Sequence, residues 1–420
     1  MPPEVPRRRW RLLRALGPGV ITGAADDDPA GIATYSIAGA QYGIALLWMA
    51  PLCWPLMAAV QGMCARVGMV TGGGLMDAVR RKYPRPLLLL AATALFVANT
   101  FNVGADLAGM ADAAELLSGV SSHLWTIAFG VAIAWATMAL RYASIARMLK
   151  WLSLVLLAYV VTALMMRPDW GEVLRATAIP SVPRDGNTWA TIVAVLGTTI
   201  SPYLFFWQAS EEVEEEKALG RREASARVGA TPDELQERRV DVGVGTFFAT
   251  VTFYFITLTT ALTLHQHGIT QPETATEVAS ALRPLAGPLA TALYTIGIVG
   301  TGALAIPTLA GSAAYAWAEL LGWREGIDER PSGAPGFYTV FALSIVAAMA
   351  MDFANISAVR ALYWSAVING VLAPFLLVGI LAIASDRGVM EGQPSPLLPR
   401  VVVGITTVLM FGAAVAMFLA

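Results

Sequence analysis

Cysteine, histidine and charge are all scarce in this chain: two Cys, three His, and only 14% Asp, Glu, Lys and Arg in 420 residues. Cys53 and Cys64 fall on one predicted helix, about 16 Å apart at 1.5 Å rise per residue, so they cannot bridge and read as core thiols. No Cys-x-x-Cys pair, no His-Glu-x-x-His and no Gly-rich phosphate loop ending in Lys-Ser or Lys-Thr occurs, which disfavours an enzyme or an ATP-driven pump. Nothing points to a nucleotide, a nucleic acid or a resident cofactor. The short alternating strands of a membrane barrel are missing too. The basic start, Arg7-Arg8-Arg9 through Arg14, leads into a long helix without a small-residue cleavage site, so no cleavable signal is expected. Residues 1–14 read as a cytoplasmic segment.

What remains is apolar. With 56% hydrophobic residues and a mean hydropathy of +0.60, the chain reads as an all-α polytopic protein embedded in lipid. Eleven spans are expected, near 15–43, 45–69, 86–117, 122–141, 146–166, 188–212, 241–264, 287–318, 336–354, 357–384 and 398–419. Lys and Arg concentrate in alternate connections: the start, then Arg66 with Arg80 to Arg85, then Arg141, Arg147 and Lys150. Lys217 to Arg239 and Arg324 with Arg330 continue the series. Those loops are expected in the cytoplasm and the carboxyl terminus outside, with the bacterial inner (cell) membrane as the expected location. The fifth connection, with Arg167, Arg175 and Arg184, is an exception to the pattern. The charged stretch from Glu211 to Asp241 reads as a solvated helix or loop.

The most expensive residues lie in the first span. Asp26-Asp27-Asp28 precede Pro29-Ala30-Gly31 inside an otherwise apolar segment, and carboxylates at membrane depth mark a site. Pro29 removes a backbone donor and pushes Asp28 out of the α region, so the helix is expected to break there. Freed carbonyls and carboxylates then point at one place, which is how broken helices of secondary transporters coordinate cations. A second Pro-interrupted helix, Gly197-Thr198-Thr199-Ile200-Ser201-Pro202-Tyr203, follows roughly 170 residues later, as in two repeats of five spans each. Because five is odd, the repeats are inverted. Repeat one is expected over 15–166 and repeat two over 188–384, with an extra span at 398–419, all within one transmembrane domain, 15–420.

Gly17-Pro18-Gly19, Asp28-Pro29-Ala30-Gly31-Ile32-Ala33-Thr34 and Gly39-Ala40-Gln41-Tyr42-Gly43 resemble the first-helix signature of the NRAMP divalent-metal transporters. Residues 197–203 are similar to that family's sixth-helix motif, and Ala105-Asp106-Leu107-Ala108 to its third-helix motif. The resemblance implies a LeuT-type 5+5 inverted repeat with helices 1 and 6 broken, and metal transport by alternating access. It places the family's metal-binding Asp on Asp28, its Asn on Gly31, its Met on Ser201, its His on Tyr203, a later His on Gln208, and its third-helix Glu on Gly109. This altered set looks closer to the NRAMP-related magnesium transporters than to the manganese and iron importers.

A thioether favours transition metals, so Ser201 in its place makes the expected site all oxygen. Magnesium keeps several of its waters and touches one or two carboxylates, and small residues at Gly31 and Ser201 leave room for them. Asp28 is the expected anchor, with carbonyls near Ala25 and Thr198. Asp26, Asp27, Tyr203, Gln208, Asp106 and Asn369 are expected around the site or along the pathway, and Asn99 and Asn102 extend a polar stripe before Asp106. The run Glu211, Glu212, Glu214, Glu215, Glu216 reads as a solvated face or a collector of cations at the inner mouth. His123, His265 and His267 fall in outer loops and read as loop structure. The expectation is facilitated entry of Mg2+, with Mn2+ tolerated and no coupled proton; a proton-coupled Mn2+ or Fe2+ importer and a non-transporting sensor are the alternatives.

Overall fold

A computed structural model describes residues 17–140, 153–184, 187–352 and 357–420. The basic start, Arg141, Arg147, Lys150 and the beginning of the fifth span lie outside them. Among the described residues every regular element is helical. The first span is two helices, α1 (Pro18–Asp26) and α2 (Pro29–Tyr42). There follow α3 (Met49–Thr71), the short α4 (Leu75–Arg80), α5 (Arg85–Ser118), α6 (Ser122–Ala139), α7 (Leu157–Met165) and α8 (Trp170–Ala178). The sixth span is also two helices, α9 (Thr188–Thr199) and α10 (Pro202–Ala218). Then come α11 (Pro232–Thr263), α12 (Ala290–Leu321), α13 (Pro335–Met351), α14 (Ala358–Ala384) and α15 (Leu397–Leu419). Counting described residues, seven helical stretches are long and apolar enough to cross a bilayer. The first span fails that test because its break divides it, and α13 is a shorter apolar helix of 17 residues.

The long α5 and α12 pack along each other, α9 packs on α14, α10 on α3, and α1 with α2 on α11. Membrane helices gain little from burying apolar surface against one another, so close backbone approach carries much of the attraction. Two places show it. A Cβ on Gly23 of α1 would stand 2.5 Å from the Gly245 backbone of α11, and one on Gly370 of α14 would strike the Val193 carbonyl of α9. Both halves of the first span are therefore seated directly on α11, and the first half of the sixth directly on α14.

Connections gather at two ends. Arg81 pairs with Glu391, Lys82 with Asp386, and Arg66 reaches the Gln393 carbonyl, while the Gly229 N–H meets the Val70 carbonyl. The Lys82 ammonium, with the Gly388 and Val389 N–H groups, holds Asp386 below the usual carboxylate range. At the opposite end Trp48 donates to the Ser181 carbonyl, His123 meets Asp352, and Arg360 pairs with Glu273. The described basic connections thus share one face. Arg167 and Arg175 of the fifth connection line a cavity of about 850 Å³ at the other, with Asp169, Glu172 and His265.

The acidic run departs from the solvated face expected of it. Helix α10 continues to Ala218, and Glu211, Glu212 and Glu216 are buried on it. The seventh span likewise starts earlier than expected. Thr231 and Glu234 form a capping box that begins α11 at Pro232, which carries Arg238 into the protein to face Glu212 and Glu215. Alternating charge predicted solvation; ion pairing between two helices buried it instead.

Candidate metal centre

Both breaks are made by the same local chemistry. At the first, Asp27 leaves the helical region at ψ 48° and Asp28 is extended at ψ 168°, with Pro29 opening α2. At the second, Ile200 leaves at ψ 60°, Ser201 is extended at ψ 135°, and Pro202 opens α10. Proline fits the first turn of a helix and disfavours the helical region for its predecessor, so each break falls one residue before it.

Asp28 is the cap of α2. Its Oδ1 accepts the Gly31 N–H at 2.6 Å and its Oδ2 accepts from Asn102 Nδ2 of α5 at 3.2 Å. The side chain is 2% exposed, so the centre is closed to solvent in this conformation. The space left by the missing side chain at Gly31 is bounded by oxygen. A Cβ built there would lie 3.3 Å from each of the Asp26 carbonyl, Asp28 Oδ1 and Thr198 Oγ1. Thr198 Oγ1 is buried without a partner, and so is Asn102 Oδ1. A buried polar atom without a partner costs about 1–3 kcal/mol, which a bound cation would offset. The sulfur of Met110 packs against Gly302, beside the Pro29 ring.

The two carbonyls expected as ligands each accept one hydrogen bond within the protein. Tyr203 crosses from α10 and donates its hydroxyl to the Ala25 carbonyl at 2.9 Å. Ser201 donates back to the Gly197 carbonyl at 2.7 Å and to the Thr198 carbonyl at 2.8 Å, the common habit of serine at a helix end. The oxygens that face Gly31 are thus the Asp26 carbonyl and the Thr198 hydroxyl. Tyr35 of α2 meets Thr199 across the breaks at 3.1 Å.

Around this core the other expected residues divide. Asp26, with both carboxylate oxygens unpartnered, and Asp27 are buried at the end of α1. Asp106 is fully buried on α5, close to the Ala30 N–H at the break. Among the described residues no Lys, Arg or His forms an ion pair with any of these aspartates. Asn369 is buried on α14 with its oxygen unpartnered. Asn99 turns away to α12, donating to the Leu309 carbonyl and Ser312 Oγ at 2.9 Å each. Gln208 lies further along α10 and donates to Glu212 at 2.7 Å. Among the described residues no three His, Cys, Asp or Glu side chains converge as a metal cage, and the oxygens nearest position 31 come from one carboxylate, one carbonyl and one hydroxyl.

Two features went unread in the sequence. Asn102 appeared only as part of a stripe, and its spacing of four residues from Asp106 was the available signal. The second is a network at the basic end: Asp241 of α11 accepts the Gly17 and Gly19 N–H groups at the start of α1, at 2.9 and 2.7 Å. Arg238 joins the same carboxylate to Glu212 and Glu215 of α10. The opposite end is closed by Thr191 of α9, which meets Gln41 of α2 at 3.2 Å and Tyr363 of α14 at 3.1 Å.

The family described as natural resistance-associated macrophage protein-like, Nramp, matches residues 19–420. The chain belongs to the Nramp family. Among curated Nramp relatives, the divalent metal cation transporter MntH of Deinococcus radiodurans is 26% identical over 412 residues, 92% of this chain and 85% of that protein. The protein of the same name from Chromohalobacter salexigens is 25% identical over 396 residues, 91% of this chain and 86% of that one. In structure, the chain is similar to the Eremococcus coleocola manganese transporter solved with an aromatic bis-isothiourea substituted compound: TM-score 0.78, 16% identity, 98% of this chain and 88% of that chain. It is also similar to Mhp1, a nucleobase-cation-symport-1 family transporter, with a TM-score of 0.60 at 14% identity, 96% of this chain and 91% of that chain. The fold is the LeuT-type arrangement with its first and sixth helices broken, and this Nramp chain is an integral membrane protein.

Proposed function

We propose that this chain moves divalent metal cations across the membrane by alternating access, that Mg2+ is its preferred cargo with Mn2+ tolerated, and that the ion binds partly hydrated. The observation that carries the reading is the oxygen-bounded space at Gly31, where Asp28, the Asp26 carbonyl and Thr198 Oγ1 converge. Carboxylate and neutral oxygens suit a hard cation that keeps waters, and the three atoms nearest position 31 are all oxygen. The curated Nramp relatives are named divalent metal cation transporters, which supports the metal class. Entry needs no coupled proton, because two charges crossing 100 mV release about 4.6 kcal/mol. The end that carries Arg81, Lys82 and Arg238 faces the cytoplasm in this reading, by the excess of basic residues there, and the carboxyl terminus lies outside. The two repeats, 15–166 and 188–384, move relative to each other about the paired breaks, and the span at 398–419 stands outside them.

Purified protein in liposomes, assayed for Mg2+, Mn2+ and proton flux, tests this. Mg2+ should enter under a negative internal potential, without acidification, and Asp28→Ala should abolish it. Mn2+ entry without Mg2+ would reject the hard-ion reading, and acidification coupled to Mn2+ uptake would establish the proton-coupled importer.

A further inference from the structure

Helix α5 brings an amide to the carboxylate from the opposite side of the motif. Asn102 is fully buried, its Nδ2 lies 3.2 Å from Asp28 Oδ2, and its Oδ1 has no partner. Of the polar side chains just before it on α5, Asn99 is committed to α12 and Thr100 to Ser344 of α13 at 3.0 Å, while Asp106, one turn further on, lies close to the Ala30 N–H at the break. Of Asn99, Thr100 and Asn102, only Asn102 is turned to the break. Meanwhile Gly31, within the motif itself, presents no side chain.

We propose that Asn102 is an ion ligand and a determinant of affinity, supplying from the third span the amide oxygen that position 31 lacks. This inference rests on the cation reading of the Asp28 site. The geometry favours it in two ways. Without an ion, the amide nitrogen faces Asp28 and donates a hydrogen bond. When a cation arrives, a half-turn of the amide exchanges nitrogen for oxygen at that distance from Asp28 Oδ2. Two oxygens that close repel when nothing lies between them, but neighbouring ligands of one Mg2+, each about 2.1 Å from the ion, stand ~3 Å apart. The same side chain therefore satisfies the carboxylate in the empty state and shares the cation with it in the loaded state. Thr198 Oγ1, also unpartnered, lies across the Gly31 space as a further neutral oxygen.

The test uses the full chain, with Mg2+ and Mn2+ binding followed by calorimetry and flux in liposomes, and melting of the ion-free protein in detergent. Four proteins are compared: wild type, Asp28→Ala, Asn102→Ala, and Asn102→Ala combined with Gly31→Asn. Asn102→Ala should weaken Mg2+ binding about tenfold or more, the scale on which losing a supporting group lowers metal affinity. Its effect should fall on KM more than on the maximal rate, and the ion-free melting temperature should fall only as far as the lost hydrogen bond to Asp28 Oδ2 accounts for. The double variant returns an amide to the site from α2. A Cβ at position 31 meets oxygens at 3.3 Å, tight but open to small adjustment, so affinity should be recovered in large part. Unchanged affinity in Asn102→Ala, with binding abolished in Asp28→Ala, would overturn the inference and leave the cation reading standing. Retained binding in Asp28→Ala would overturn the cation reading itself. A loss in Asn102→Ala that tracks a lower ion-free melting temperature and is not recovered by Gly31→Asn would assign Asn102 to packing and also overturn the inference.

Discussion

Gly31 and Asn102 donate to Asp28, and Tyr203 adds a bond that ties the second break to the first. Its hydroxyl reaches the Ala25 carbonyl, a group freed by the end of α1, and satisfies it. Tyr203→Phe leaves that buried carbonyl without its donor, at a cost of about 1–3 kcal/mol to the closed conformation. The expected outcome is a lower melting temperature in detergent and faster release of a bound ion in stopped-flow measurements. An unchanged melting temperature would mean that the carbonyl finds another donor. Tyr203 stood at a motif position in the sequence, but its partner lies 178 residues away and no spacing rule connects them. The same holds for Asn102, 74 residues from Asp28.

At the scale of elements, the breaks were legible and the contacts of the resulting pieces were not. Pro29 and Pro202 act on their immediate predecessors, so their effect is written locally. The seating of α1 is decided by Asp241, which caps its start, and by Gly23 against Gly245. Asp241 is also a partner of Arg238, which is itself largely buried. Asp241→Ala leaves Arg238 with Glu212 and Glu215 but strips the cap from the Gly17 and Gly19 N–H groups, at a cost of about 1–3 kcal/mol. Hydrogen exchange should then accelerate selectively in residues 17–26, while the amides of α5 and α12 remain protected. Uniform acceleration throughout the chain would show that Asp241 supports the whole fold and not the position of α1. The acidic run teaches the complementary lesson: alternating signs from Glu211 to Asp241 read as solvated because composition carries no information about which helix packs on which. Arg238 of the adjacent α11 pairs with Glu212, Arg221 pairs with Glu216, and both glutamates are buried.

For the whole molecule, the distribution of Lys and Arg along the chain already sorted the connections into two sets, and the folded protein brings each described set together at its own end. Impermeant labels at residues 220 and 392 should therefore react from one side of the membrane, and a label at residue 268 from the other. Labelling of all three from the same side would overturn the arrangement. The centre is closed toward both ends, by the Thr191, Gln41 and Tyr363 contacts at one and by Arg238 and Asp241 at the other. Span positions, the two interruptions and the offset between them follow from the sequence alone, because hydropathy and proline act over one or a few turns. Which oxygen faces Gly31, which amide meets Asp28, and which charges are buried were decided only by tertiary packing. Those partners come from helices distant in the chain, and their meeting depends on close helix contacts that no local pattern encodes.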